Sequence, residues 1–130
     1  SAECFTCSSN PNWDYYTERI EGLMIFNASN RPPLAPLSCI FDPKRIYADR
    51  TAVACNGKCL KWVSTTITAD GGVKASILRG CYEKLIDVTK YPPSVESRCY
   101  QSPSDYNHQV DIEYTTTCYC NGFICNHSSS

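Results

Sequence analysis

The chain has 130 residues, a formal net charge of −1 and ten cysteines. Its length fits one domain, and its near-neutral charge provides no electrostatic attraction to nucleic acid. No apolar run approaches the roughly 20 residues that a membrane-spanning helix needs. A cysteine density this high is typical of an oxidising, extracellular compartment, where disulfides make up for a modest apolar core.

Both ends of the sequence fit a processed extracellular protein. It begins Ser1-Ala2-Glu3 with no initiator Met or hydrophobic leader, so we interpret it as a mature chain whose signal peptide was removed. It ends in small residues, 126–130, of the kind accepted at a lipid-anchor attachment site. A truncated chain would end in the same way.

The first long segment between cysteines carries mixed signals. Residues 10–12 predict a turn, residues 19–26 a strand, and residues 27–33 a break in regular structure. A second turn is predicted at Asp42-Pro43.

The middle of the chain gives the clearest strand signal. Residues 60–68 are rich in β-branched and aromatic side chains, residues 69–72 include two glycines, and residues 73–78 run back. This pattern predicts a β-hairpin. A short helical turn is expected at 82–88.

A last hairpin is predicted near the C-terminus. Its strands are 98–101 and 109–118, and its tip is 102–108. In the return strand Val110, Ile112 and Tyr114 alternate with polar residues at a period of two.

Catalytic and metal-site interpretations are weaker than a structural one. The chain has two histidines, His108 and His127, and a Cys–His nucleophile would need a free thiolate. Zinc is the alternative use of the paired cysteines, since Cys4-x-x-Cys7 and Cys55-x3-Cys59 have ligand-like spacing. The remaining cysteines favour disulfides instead, so we expect no enzyme activity, cofactor, metal or small-molecule substrate.

The cysteine spacing, taken as a whole, resembles a known family. The chain opens Cys-x-x-Cys, carries Cys55-Asn56-Gly57-Lys58-Cys59 before a hairpin that ends Arg79-Gly80-Cys81, and closes Cys118-x-Cys120-x4-Cys125-Asn126. This resembles the lymphocyte-antigen-six/urokinase-receptor family of three-finger domains, and most of all its invertebrate sleepless/quiver branch. The resemblance spans the chain from Cys4 to Asn126.

The resemblance implies an all-β, disulfide-rich three-finger domain over residues 1–126, with a tail at 127–130. Its fingers would be roughly 8–38, 60–80 and 100–117. It also implies five disulfides, which are Cys4–Cys59, Cys7–Cys39, Cys55–Cys81, Cys99–Cys118 and Cys120–Cys125. The sequence departs from the family pattern in its longer first finger and in Tyr119, which separates Cys118 from Cys120.

Two sequons are present, at Asn27 and Asn126. In the family the Asn after the last cysteine is structural, because its amide hydrogen-bonds the backbone of the core. We therefore expect a glycan on Asn27, whereas Asn126 has two competing uses.

The expected partner-binding residues are those of the fingertips, because aromatic anchors tend to dominate interface energies. They are Trp13, Tyr15, Tyr16, Lys74, Tyr106, Asn107 and His108. The alternative is that the aromatic residues of the first segment cover the sheet. For Trp62, which alternates with Leu60, covering the sheet is the favoured interpretation.

By resemblance, the chain is expected to be an extracellular protein, attached to the outer membrane leaflet by a lipid anchor or secreted. It would modulate a membrane ion channel or receptor, of the potassium-channel or nicotinic acetylcholine-receptor type. The alternatives are a cell-surface adhesion or fertilisation-type ligand and a soluble secreted ligand.

Overall fold

The computed structural model describes residues 2–25, 27–36, 38–41, 52–102, 105–107 and 111–121. These form a small, disulfide-rich, mostly β structure. Its strands are β1 (Ala2–Phe5), β2 (Cys7–Ser8), β3 (Ala52–Cys55), β4 (Cys59–Ile67), β5 (Val73–Cys81), β6 (Arg98–Gln101), β7 (Asp105–Asn107) and β8 (Asp111–Cys120). Its helices are the short α1 (Trp13–Thr17), α2 (Ser38–Phe41) and α3 (Tyr82–Leu85), with a 3₁₀ turn at Ala28–Asn30.

The main sheet is antiparallel and has six strands. Its order is β2-β5-β4-β8-β6, and β7 also pairs with β8. Strands β1 and β3 form a separate two-stranded sheet. The predicted central hairpin is confirmed as β4 and β5, which pair from Cys59↔Cys81 at the base to Ile67↔Val73 beside the turn.

Disulfides gather at the base of the sheet. The bonds are Cys4–Cys59, Cys7–Cys39, Cys55–Cys81 and Cys99–Cys118, which are four of the pairs that the resemblance implies. Cys120 is also disulfide-bonded, and its expected partner, Cys125, lies outside the described residues.

Both faces of the sheet are covered, and the first long segment contributes to each cover. On one face, Leu60, Trp62 and Leu78 pack with the buried Tyr16 and Ile25. On the other face, Val63 and Ile77 pack with cysteines and with Ala35 and Ile40. Alternate residues of β4 therefore point into two different apolar clusters, as a period of two requires.

The strand predicted at 19–26 is wrong over its described part. Residues 19–22 form turns, and the only described pairing there is an isolated bridge between Leu23 and Ile86. Gly22 has a φ of 77°, in the left-handed region that breaks an extended strand. The segment runs across the sheet and buries Ile25 in the core instead of joining a ladder.

The last hairpin is confirmed in outline and differs in detail. Strand β6 has the predicted bounds, and β8 runs from Asp111 to Cys120, two residues past its predicted end. The predicted positions 109 and 110 lie outside the described residues. The expected tip at 102–108 contains strand β7, in which Tyr106 pairs with Ile112. The helical turn expected at 82–88 is the shorter α3.

Candidate binding surfaces

The turn of the β4–β5 hairpin is an exposed surface with several internal hydrogen bonds. We call residues 68–74 the hairpin tip. Gly71 has a φ of 87°, and the amide of Thr68 donates to the carbonyl of Gly72 over 2.8 Å. The Asp70 carboxylate accepts hydrogen bonds from the Thr68 hydroxyl and from the Gly72 amide, and these bonds lower its pKa. Hydrogen bonds of both backbone and side chains within the tip therefore stabilise this turn conformation.

Asp111 connects the hairpin tip to the start of β8. Its carboxylate accepts a hydrogen bond from the Ala69 amide over 3.2 Å. Asp111 pairs with Asn107 of β7, so the ends of the second and third hairpins lie side by side.

Four backbone positions with apolar or aromatic residues are in register across the sheet beside this tip. Val73 pairs with Ile67, Ile67 with Ile112, and Ile112 with Tyr106. Val73 is 67% exposed, and Lys74 beside it is exposed too. Lys74, Tyr106 and Asn107, which were predicted as binding residues, thus have backbone positions at one end of the sheet, and His108 lies outside the described residues.

The aromatic residues of the first segment are folded onto the sheet. Tyr16 is fully buried, which contradicts its predicted role as a surface contact. Its hydroxyl donates to the carbonyl of Ile77 over 2.9 Å and accepts from the Ser8 hydroxyl over 2.9 Å. Trp13 and Tyr15 are half-buried against the same core, and Trp62, 4% exposed, has the covering role favoured for it.

Sequence reasoning missed a cleft on this same face. It has a volume of about 360 Å³ and lies between residues 19–21, the sheet and the residues around α3. We call it the aromatic cleft, because its wall includes Trp62, Tyr82, Tyr91 and Tyr119. These rings are far apart in the chain, and no local pattern in the sequence connects them.

The tyrosines of the cleft sit in a partly dry environment. The ring centroids of Tyr82 and Tyr119 are 5.5 Å apart, and the Tyr82 hydroxyl donates to the carbonyl of Tyr91 over 2.6 Å. Burial, with a smaller contribution from Tyr119, raises the pKa of Tyr82 to about 12. Burial likewise raises the pKa of Tyr119. Both hydroxyls therefore stay neutral at physiological pH.

One edge of the cleft carries an ion pair. Arg19 Nε donates to Glu113 Oε1 over 2.5 Å, and the guanidinium lies 3.8 Å from the centroid of the Tyr15 ring. The hydrogen bond to Glu113 raises the pKa of Arg19. Glu21, which also lines the cleft, is exposed.

The cysteines considered as zinc ligands are joined to other sulfurs. Cys4, Cys7, Cys55 and Cys59 each take part in a disulfide, so none offers a thiolate. Glu83 lies close to the sulfurs of Cys55 and Cys81, but these two cysteines are bonded to each other. This group therefore lacks the thiolates that a zinc site uses.

The sequon at Asn27 lies on the surface. Asn27 is exposed, and its Oδ1 accepts from the Ser29 amide over 3.1 Å and from the Ser29 hydroxyl over 3.0 Å. The side-chain nitrogen that would carry a glycan is not used in these bonds. Asn126 and the expected tail at 127–130 lie outside the described residues.

Among the described residues, none of the helices combines the length and apolar character needed to cross a bilayer. The chain matches no family model, no curated protein and no solved structure.

Proposed function

We propose that the chain is an extracellular recognition module of the three-finger type. Disulfides at this density favour an oxidising compartment, and two hairpins extend from the disulfide-bonded base toward the same end of the sheet. The second and third fingers would be these hairpins. The first, residues 8–38, would be the long segment that folds back over the sheet.

Its function, in this proposal, is to modulate a membrane ion channel or receptor of the potassium-channel or nicotinic acetylcholine-receptor type. The observation that carries the proposal is the ordered hairpin tip, with exposed Val73 and Lys74 beside each other. A preorganised tip loses little conformational entropy on binding. If it contacts one channel state more tightly than another, it shifts the population toward that state.

Attachment to the outer leaflet by a lipid anchor would strengthen this effect. It would raise the local concentration of the module beside a membrane partner without any new contact.

The test is to apply the oxidised protein to cells that express one potassium channel or one nicotinic receptor at a time. Surface binding and the current are measured together. We expect wild-type protein to bind and change the current, and the double variant Val73→Glu/Lys74→Glu to lose both effects.

The matched control is Val95→Glu/Lys90→Glu, which makes the same chemical changes at exposed positions after α3. It should act like wild type. Equal binding by both double variants would rule out the hairpin tip as the contact surface. Binding to neighbouring cells with no change in any current would overturn the modulator proposal in favour of adhesion.

A further inference from the structure

The aromatic cleft has the composition of a site for a positively charged organic group. Four aromatic residues, Tyr82, Tyr91, Tyr119 and Trp62, line one concave wall, and the acidic Glu21 lines it too. Aromatic faces attract cations through their quadrupole, and recognition of alkylammonium groups by several rings is a common use of this effect. We propose that the aromatic cleft binds an organic cation of the alkylammonium or guanidinium class.

The molecule already uses tyrosine rings in this way on the same face. The Arg98 guanidinium lies 4.1 Å from the centroid of the Tyr100 ring, and Arg19 lies 3.8 Å from that of Tyr15. Tyr100 in turn packs edge-on against Tyr119, with the centroids 5.8 Å apart. Tyr15 and Tyr100 therefore each contact a guanidinium group, and Tyr100 in turn contacts a ring of the cleft wall.

The charges around the cleft also favour a cation. Arg19 is the cationic side chain in its wall, and Glu113 neutralises it directly. Glu21 has no ion pair within the part of the chain that the structure describes, so the net charge of Arg19, Glu113 and Glu21 is negative. The raised pKa values of Tyr82 and Tyr119 keep their hydroxyls neutral, so these residues add no charge to the wall.

The size of the cleft limits the ligand to a small group. A volume of about 360 Å³ lies at the lower end of the range for ligand pockets, which begins at about 300 Å³. It therefore fits one head group and not an extended molecule. Such a group has two sources, a free quaternary ammonium compound or a Lys or Arg side chain of a partner protein. The inference does not depend on the channel function proposed above.

The test is a titration of the oxidised protein followed by NMR shifts of the tyrosine rings and the Trp62 indole. Choline is compared with dimethylbutanol, its neutral carbon isostere. N-acetyl-arginine amide is compared with the amide of N-acetyl-citrulline, which is uncharged. We expect saturable shifts with each cation and weaker binding by each neutral analogue.

Three variants connect the binding to the rings of the cleft. Tyr91→Leu, which keeps the apolar bulk, should weaken cation binding about three- to tenfold. Tyr91→Phe keeps the ring and should bind like wild type. Tyr114→Leu changes a ring of β8 next to Thr115, on the side of the sheet away from the cleft, and should also leave binding unchanged.

Some outcomes identify the source of the cation, and others refute the proposal. Tighter binding of choline would support a free quaternary ammonium ligand, and tighter binding of the arginine derivative would support a partner side chain. Equal binding of cations and neutral analogues would show a merely apolar cleft and refute the proposal. The proposal also fails if no probe gives saturable shifts, or if Tyr91→Leu binds as well as Tyr91→Phe.

Discussion

Replacement of Tyr16 by Phe should destabilise the protein even though it removes a single oxygen atom. The Tyr16 hydroxyl accepts from the Ser8 hydroxyl and from the Asn10 amide, over 2.9 and 3.1 Å, and donates to the carbonyl of Ile77 over 2.9 Å. Tyr16 is fully buried, so water cannot replace the lost oxygen. Phe leaves three polar groups without this partner.

The magnitude depends on what those three groups do next. The Ile77 carbonyl still accepts from the Ser9 amide over 3.0 Å. The Ser8 hydroxyl shares its one proton between Tyr16 and the carbonyl of Asn10, and it still donates to that carbonyl over 2.9 Å. The Asn10 amide still donates to the Ser8 hydroxyl over 3.3 Å. Each group therefore keeps one partner. A net hydrogen bond contributes about 0.5–1.5 kcal/mol, and an unsatisfied buried group costs about 1–3 kcal/mol. We expect the free energy of unfolding to fall by about 2 kcal/mol. This is less than the cost of leaving three buried groups without any hydrogen-bond partner.

The assay is equilibrium unfolding in denaturant with the disulfides intact, which allows a two-state treatment for a small domain. Tyr15→Phe is the control. Among the described residues, its hydroxyl is hydrogen-bonded to the Ser64 hydroxyl alone, over 2.7 Å, and Ser64 also donates to Glu113. We expect this control to lose less than about 1 kcal/mol. A Tyr16→Phe variant as stable as Tyr15→Phe would refute the reasoning.

Three further predictions concern the backbone, a disulfide and a carboxylate. Gly22→Ala should lower the free energy of unfolding by about 2 kcal/mol or more, because it adds left-handed strain and places a Cβ against the Tyr91 ring; thermal unfolding measures this. Cys99–Cys118 should be the first of the four described disulfides reduced by mild thiol under native conditions, because Cys99 is exposed; alkylation and mass spectrometry identify the reduced pair. The pKa of Asp70 should lie below the usual 3.8, and NMR of its carboxyl carbon measures this pKa. The stability that the Asp70 carboxylate contributes to the fold is then present above pH 3.8 and is lost as the pH falls through the lowered folded pKa.

Each of these three has its own control. Gly71→Ala carries similar strain but places its Cβ in open space, so it should cost about half as much as Gly22→Ala. The buried Cys4–Cys59 bond should survive the mild reductant, and its earlier loss would contradict the exposure argument. Asp70→Asn should abolish the acid-dependent loss attributed to this carboxylate.

The sequence predicted elements well where the signal is local. Residues 60–78 specify a hairpin by themselves, since β-branched runs surround a turn with Gly71 at positive φ. The helical turn after Cys81 and the strand at 98–101 are similarly confirmed. Strands β1 and β3 pair with each other over a long stretch of sequence. Each has four residues, too few to show a pattern that predicts the pairing.

The first segment shows why the rest was missed. Ile20, Leu23 and Ile25 look like strand residues, but they pack onto the sheet as an irregular cover. Tyr16 lies among acidic neighbours that indicate a surface, yet its own contacts place it in the core. Whether an aromatic residue covers a sheet or meets a partner is decided by tertiary packing, and the aromatic cleft likewise exists only after distant segments meet.

The pairing of the N-terminal strand has a consequence for how the protein is made. Strand β1 pairs with β3, and Cys4 is bonded to Cys59, 55 positions later. Contacts this distant slow folding, because a long loop must close before they contribute. During synthesis the first strand leaves the ribosome well before its partners, with its one cysteine, Cys4, able to react with other thiols. We therefore expect loop closure and disulfide formation, and not the formation of local structure, to limit the rate at which this part of the fold appears.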